Sequence, residues 1–100
     1  LAVAVVPVNT KLSEKKMAKA LGVKKVEMAQ ANAVMVATGY VLGGVSPIGQ
    51  KKRLASVIHK SAENLQTIHV SAGKRGLEVA LAPSDLATLT SAKFADISVD

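Results

Sequence analysis

Thr67-Ile68-His69-Val70-Ser71-Ala72-Gly73-Lys74-Arg75-Gly76-Leu77-Glu78-Val79-Ala80-Leu81 is the stretch that decides the fold class. Thr67 to Ser71 and Leu77 to Leu81 each alternate as strands do, and Ala72 to Gly76 between them has hairpin-turn chemistry. Alternation puts Leu77, Val79 and Leu81 on one face and Glu78 and Ala80 on the other. That second face is either solvent or the wall of a pocket, with Ser71 near Glu78 at the far end of the hairpin.

Working outward, Pro83 suits the first position of a helix, with Asp85 in its first turn and Leu86 and Leu89 as its apolar face. Phe94 to Val99 reads as a closing strand. Upstream, the run Leu1-Ala2-Val3-Ala4-Val5-Val6, bounded by Pro7 and Asn9, reads as a buried strand. Thr10 to Gly22 reads as a helix. Ser13 is its N-cap, Leu12 a staple onto Met17, and Gly22 its stop. Val23 to Met28 reads as a short strand, Ala29 to Ala37 as a second helix ending at Gly39, and Leu54 to Ile58 as a strand. Ser61 to Leu65 reads as a helical turn. This order is not a regular βαβ alternation. It predicts one α+β domain over residues 1–100, with a mixed, largely antiparallel sheet or small barrel packed with helices.

Composition narrows the chemistry. The chain has 100 residues, 49% of them hydrophobic and 20% charged, which is a globular ratio. Tyr40 and Phe94 are the only aromatic residues, so stacking platforms for single-stranded nucleic acid are nearly excluded. The absence of cysteine removes disulfides, protein thiolate catalysis and cysteine-ligated metal, and fits a reducing compartment such as the cytoplasm. Thirteen Lys and Arg against seven Asp and Glu leave a net charge of +6. That excess fits an anionic partner, nucleic acid being the commonest, or simply a basic soluble surface. The apolar opening run is far short of the ~20 residues of a membrane span and lacks the flanks of a signal peptide. An opening strand with no polar lead-in reads as the cut edge of a longer domain.

Few residues point to a reaction. His59 and His69 read as structural or surface residues, and no metal site or cofactor is expected. No nucleophile elbow or Walker A motif is present, and nothing argues for a Ser/His/Asp triad. The informative loop is Thr38-Gly39-Tyr40-Val41-Leu42-Gly43-Gly44-Val45-Ser46-Pro47-Ile48-Gly49-Gln50. Its glycines allow a ligand close to the main chain, where oriented N–H groups bind a carbonyl oxygen or an anion. An ordinary tight turn accounts for the same pattern. Lys51-Lys52-Arg53 and Lys74-Arg75 form two basic clusters at loops, fit for phosphate contacts or for solvent. Lys11, Lys15, Lys16, Lys19, Lys24 and Lys25 read mostly as a solvated face.

Taken together, GYVLGGVSPIGQKKRL (39–54) and IHVSAGKRGLEVALAPSDLATLTSAKFADI (68–97) resemble the bacterial YbaK-type cysteinyl-tRNA(Pro) deacylases, relatives of the prolyl-tRNA synthetase editing domain. LAVAVVPVNTKL (1–12) and KALGVKKVEMA (19–29) match the same family. The resemblance implies a trans-editing hydrolase that clears cysteine from tRNA(Pro), the substrate's own thiol attacking its ester. Mischarged tRNA(Pro) is then the partner, with prolyl-tRNA synthetase a further candidate. The family's glycine-x-x-x-proline loop falls on Gly43 to Pro47. Gly43, Ser71 and Glu78 are carried over as catalytic candidates, and Tyr40, Gly44, Ser46, Pro47 and Gly73 as substrate-binding ones. Lys51, Lys52, Arg53, Lys74 and Arg75 would meet tRNA. Glu78 stands where relatives have aspartate, His59 where they often have aspartate, and His69 where they often have tyrosine. The family is longer at its N-terminus, and that part carries a lysine regarded as essential. Editing of alanyl-tRNA(Pro) and non-catalytic binding of tRNA or synthetase are the alternatives.

Overall fold

The centre of the fold is one strand buried on both faces. The computed structural model describes residues 1–41, 44–51, 54–74 and 76–99. In chain order the elements are β1 (Ala2–Val5), β2 (Lys11–Leu12), α1 (Glu14–Leu21), α2 (Ala31–Thr38), β3 (Ala55–His59), a 3-10 turn (Lys60–Asn64), β4 (Ile68–Lys74), β5 (Leu77–Leu81), α3 (Pro83–Thr90), β6 (Lys93–Ala95) and β7 (Ser98–Val99). Strand β3 lies between β1 and β6, parallel to both. Its Ser56-Val57-Ile58 run is buried without interruption, as in a strand covered on two sides. Adjacent side chains point to opposite faces, so Val57 and Ile58 feed two separate cores. Val57 joins Met17 of α1 and Ile97. Ile58 joins Ala62, Val70 of β4 and Leu86 of α3.

The α+β class holds, but the strand arrangement differs from the expectation. The three-stranded sheet is wholly parallel, and antiparallel pairing is confined to the two-stranded β2–β7 and β4–β5 ribbons. No closed barrel is formed among the described residues. Val23 to Met28 is not a strand, because Lys24 and Lys25 interrupt any continuous apolar face, and Val26 is the residue there that packs on the Met17 core. The closing strand is split. β6 pairs with β3, β7 pairs with β2, and between them Ile97 accepts the Ser13 N–H at 2.7 Å.

Local chemistry sets the helices. The Ser13 hydroxyl accepts the Lys16 N–H at 3.1 Å, so α1 starts at Glu14 and leaves Lys11–Leu12 free to pair with β7. Gly22 ends α1 in the left-handed conformation. Helix α2 ends likewise at Gly39, where Thr38 Oγ1 donates to Val34 O and Thr38 O accepts the Lys51 N–H. This last bond pins the far end of the glycine loop to the helix that precedes it. In α3, Pro83 and Leu86 are buried, while Leu89 is 59% exposed rather than part of the apolar face. Leu89 lies about 60° round the helix from Leu86, on the side away from Ala87, and so misses the core.

Candidate functional site

Tyr40 is the residue that joins the loop to the hairpin. Its N–H donates to Thr38 Oγ1 at 3.1 Å, and its hydroxyl donates to Ile48 O at 2.6 Å. The ring lies against Gly73 of β4, so closely that a Cβ on Gly73 would stand 2.7 Å from Tyr40 Cε1. Gly73 has φ +102°, a region that favours glycine. The two candidate motif blocks, far apart in sequence, therefore meet at a ring and a bare backbone.

The loop is held by its own bonds. Ser46 is 3% exposed. Its hydroxyl accepts the Ile48 N–H at 3.2 Å, and its carbonyl accepts the Gln50 amide at 2.9 Å. The Gly44 N–H donates to Val41 O at 3.0 Å, so it is engaged within the turn. Pro47 lines a cavity of about 270 Å³ with Ile48, Lys51, Leu89 and Thr90. Gly43, Lys52, Arg53 and Arg75, four of the sequence-derived site residues, lie outside the described residues.

On the hairpin, Ser71 is registered directly opposite Glu78. The spacing had placed them near one another, and the ladder pairs them. The Ser71 hydroxyl accepts the Gly73 N–H at 3.2 Å, within an irregularity between Ser71 and Lys74 that carries β4 further into the turn than the sequence indicates. Ile68, Val70 and Leu81 pack inward on the Ile58 core. The opposite face carries His69, Ser71 and Glu78, with His69 Nδ1 4.0 Å from Glu78 Oε1. Both of these side chains are 63% exposed, so in this chain the Glu78 face meets solvent. A larger apolar cavity of about 680 Å³ lies by α1, α2 and β1, and neither cavity is lined by Tyr40, Ser71, Gly73 or Glu78. Lys51 and Lys74 are exposed. The stem of Lys51 lies near Gly39, and Lys74 adjoins Gly73, so both flank the Tyr40 junction.

Lys16 is not a solvated lysine, as its helix position implied. Its Nζ donates to Asp96 Oδ2 at 3.1 Å and to Ser98 O at 2.9 Å. His59 completes the cluster. Its Nδ1 accepts the Ser61 N–H at 3.1 Å, which leaves the hydrogen on Nε2, and Nε2 meets Ser98 Oγ at 2.9 Å and Asp96 Oδ1 at 3.3 Å. His59 thus has the structural role read from the sequence. The Lys16 hydrogen bond is the main cause that holds the Asp96 carboxyl below its ordinary value, and the Lys16 charge, the Ser98 backbone and His59 add to it. A lowered folded-state value means stability that is present above the unfolded carboxyl's pKa, about 4, and is lost as pH falls through the folded value. Asp96→Asn is therefore expected to lower the melting temperature at pH 6. The gap to wild type should close as pH falls below about 4 in a thermal-unfolding series.

Sequence reasoning missed the bridge from Tyr40 to Gly73, which joins residues far apart in the chain. His69, read from the sequence as a structural or surface residue, is an exposed residue of β4 on the same face as Ser71.

Loop and hairpin belong to one small α+β domain. Residues 1–89 match the aminoacyl-tRNA editing domain family, and the chain belongs to it. It is 47% identical over 96 residues to an Enterococcus faecalis protein named "Putative Cys-tRNA(Pro)/Cys-tRNA(Cys) deacylase EbsC". That match covers 96% of this chain and 58% of the relative, so the chain spans a little over half the relative's length. Among solved structures, it superposes on one described as a "putative trans-editing enzyme for prolyl tRNA synthetase" with TM-score 0.88 and 24% identity, over 99% of this chain and 62% of that one. A hypothetical protein matches with TM-score 0.84 and 26% identity, over 96% and 63%. The first of these structures establishes the shared fold.

Proposed function

We propose that the protein is a trans-editing hydrolase that removes cysteine from mischarged tRNA(Pro), the substrate's thiol attacking its own ester carbonyl. The observation that carries this reading is the Tyr40–Gly73 contact, which sets the residue that opens the loop against the strand that carries Ser71. The name and 47% identity of the Enterococcus relative support removal of cysteine from tRNA. A substrate nucleophile explains why a chain without cysteine can run a thiol reaction, and leaves the protein the task of orientation and charge stabilisation. Gly43 and its neighbours Gly44, Ser46 and Pro47 would position the aminoacyl group against the loop. Ser71 and Glu78 would face it from the hairpin, Glu78 with an arm one methylene longer than the aspartate of its relatives. Lys51 and Lys74, with Lys52, Arg53 and Arg75, would hold tRNA phosphates around the junction. Prolyl-tRNA synthetase is the proposed source of the substrate and a candidate partner.

Single-turnover deacylation of cysteinyl- and alanyl-tRNA(Pro), with the protein as encoded, tests the reading. Cysteine should be released at least about 100-fold faster than alanine, because an intramolecular thiol has a high effective concentration and alanine has none. Equal rates would refute the thiol mechanism. Binding of tRNA without release of either amino acid would make the domain a non-catalytic module.

A further inference from the structure

The outer face of the hairpin carries a histidine that packing does not require. His69 is registered opposite Ala80, two pairs along the ladder from Ser71 and Glu78 and on the same face. Its neighbour Val70 supplies the core contact, so His69 is free to face outward. Among the described residues, Glu78 is the charged group in an ion-pair approach to it, Oε1 to Nδ1 at 4.0 Å. A carboxylate on the Nδ1 side favours the tautomer with its hydrogen there and leaves the lone pair on Nε2. An exposed imidazole with one nitrogen turned to a carboxylate keeps its other nitrogen available for proton transfer.

We propose that His69, oriented by Glu78, is the general base that takes the proton from the substrate's attacking thiol. The inference rests on the cysteinyl-ester reading above. The thiol S–H bond breaks and its proton passes to His69 Nε2. The sulfur bonds to the ester carbonyl carbon, and the bond from that carbon to the ribose oxygen breaks. The imidazolium returns the same proton to the ribose oxygen. Free tRNA and a cysteine thiolactone leave, and water opens the thiolactone to cysteine. No group outside substrate, water and protein is needed. Ser71 stands beside the pair, and Glu78 acquires a role that its distance from the core alone does not explain.

The test is the pH–rate profile of cysteinyl-tRNA(Pro) deacylation from pH 5.5 to 9, with background hydrolysis subtracted, for wild type, His69→Gln and Glu78→Gln. Wild type should be the fastest of the three around neutral pH. His69→Gln should be slower by about 10- to 100-fold near pH 6.5, and its rate should climb about tenfold per pH unit until the free thiol ionises near pH 8.5. The gap to wild type then closes in alkali. Glu78→Gln removes the carboxylate that orients the imidazole, so its rate should fall by less than that of His69→Gln. His69 is exposed, and an unchanged melting temperature in His69→Gln will show that the fold is intact. A His69→Gln profile that matches wild type, or that is depressed equally at every pH, overturns the base and leaves the deacylase reading standing. An inactive wild type overturns the deacylase reading itself.

Discussion

Gly73→Ala is expected to cost about 1–3 kcal/mol of stability and to lower deacylation more than tenfold. Two separate effects add. A side chain at φ +102° is strained whatever surrounds it. In addition, the new methyl would lie 2.7 Å from Tyr40 Cε1 and 3.2 Å from Cδ1. The ring cannot simply withdraw, because its hydroxyl is anchored on Ile48 O at 2.6 Å and its backbone on Thr38 Oγ1. Relief must come from moving the loop away from the hairpin, which separates the two halves of the proposed site. Urea unfolding of Gly73→Ala, Tyr40→Ala and the double variant divides the terms. The double variant should be less destabilised than the sum of the singles, since without the ring only the backbone strain of Gly73→Ala remains. Strict additivity would show that ring and glycine are not in contact. Tyr40→Phe keeps the ring and loses one hydrogen bond, so it should cost about 1 kcal/mol, well below Gly73→Ala in activity.

That junction also shows where sequence reading stops. Helix α1 is legible because cap, staple and stop are all local, in Ser13, the Leu12–Met17 pair and Gly22. The Ser71–Glu78 pairing is legible because a hairpin sets its own register. The parallel β1–β3–β6 sheet is not, since alternation within a strand says nothing about which distant strand lies beside it. The uninterrupted Ser56-Val57-Ile58 run is the one trace of it, the mark of a strand covered on both faces. Tyr40 reaches Gly73 across a similar gap in sequence, and no local pattern encodes that contact. The approach of His69 to Glu78 is equally hidden from local reading, because the carboxylate comes from the facing strand. Lys16 reads as a surface cation on its helix, but its partners Asp96 and Ser98 come from the far end of the chain.

The same limit separates two leucines that look alike in the sequence, and their truncation should give the largest stability contrast in the domain. Leu86 is 0% exposed and sits with Ile58, Ala62 and Val70, with Phe94, Val5 and Leu81 packed around them. Leu86→Ala removes buried methyl groups and leaves a cavity that β3 and the hairpin cannot both collapse to fill. The expected cost is about 3 kcal/mol, a large share of the roughly 5–15 kcal/mol that holds such a domain together. Leu89, three residues on and 59% exposed, gives up little when truncated, and Leu89→Ala should stay within about 0.5 kcal/mol of wild type. Denaturant unfolding of the two variants side by side is the check, with the midpoint falling sharply for the first and barely for the second. Equal losses would mean that α3 presents both leucines to the core, as its sequence alone implies. The Leu86 variant also bears on the site, because Val70 of β4 sits in the same cluster. Loosening Val70 should free the strand that carries His69 and Ser71, so deacylation should fall before the domain unfolds.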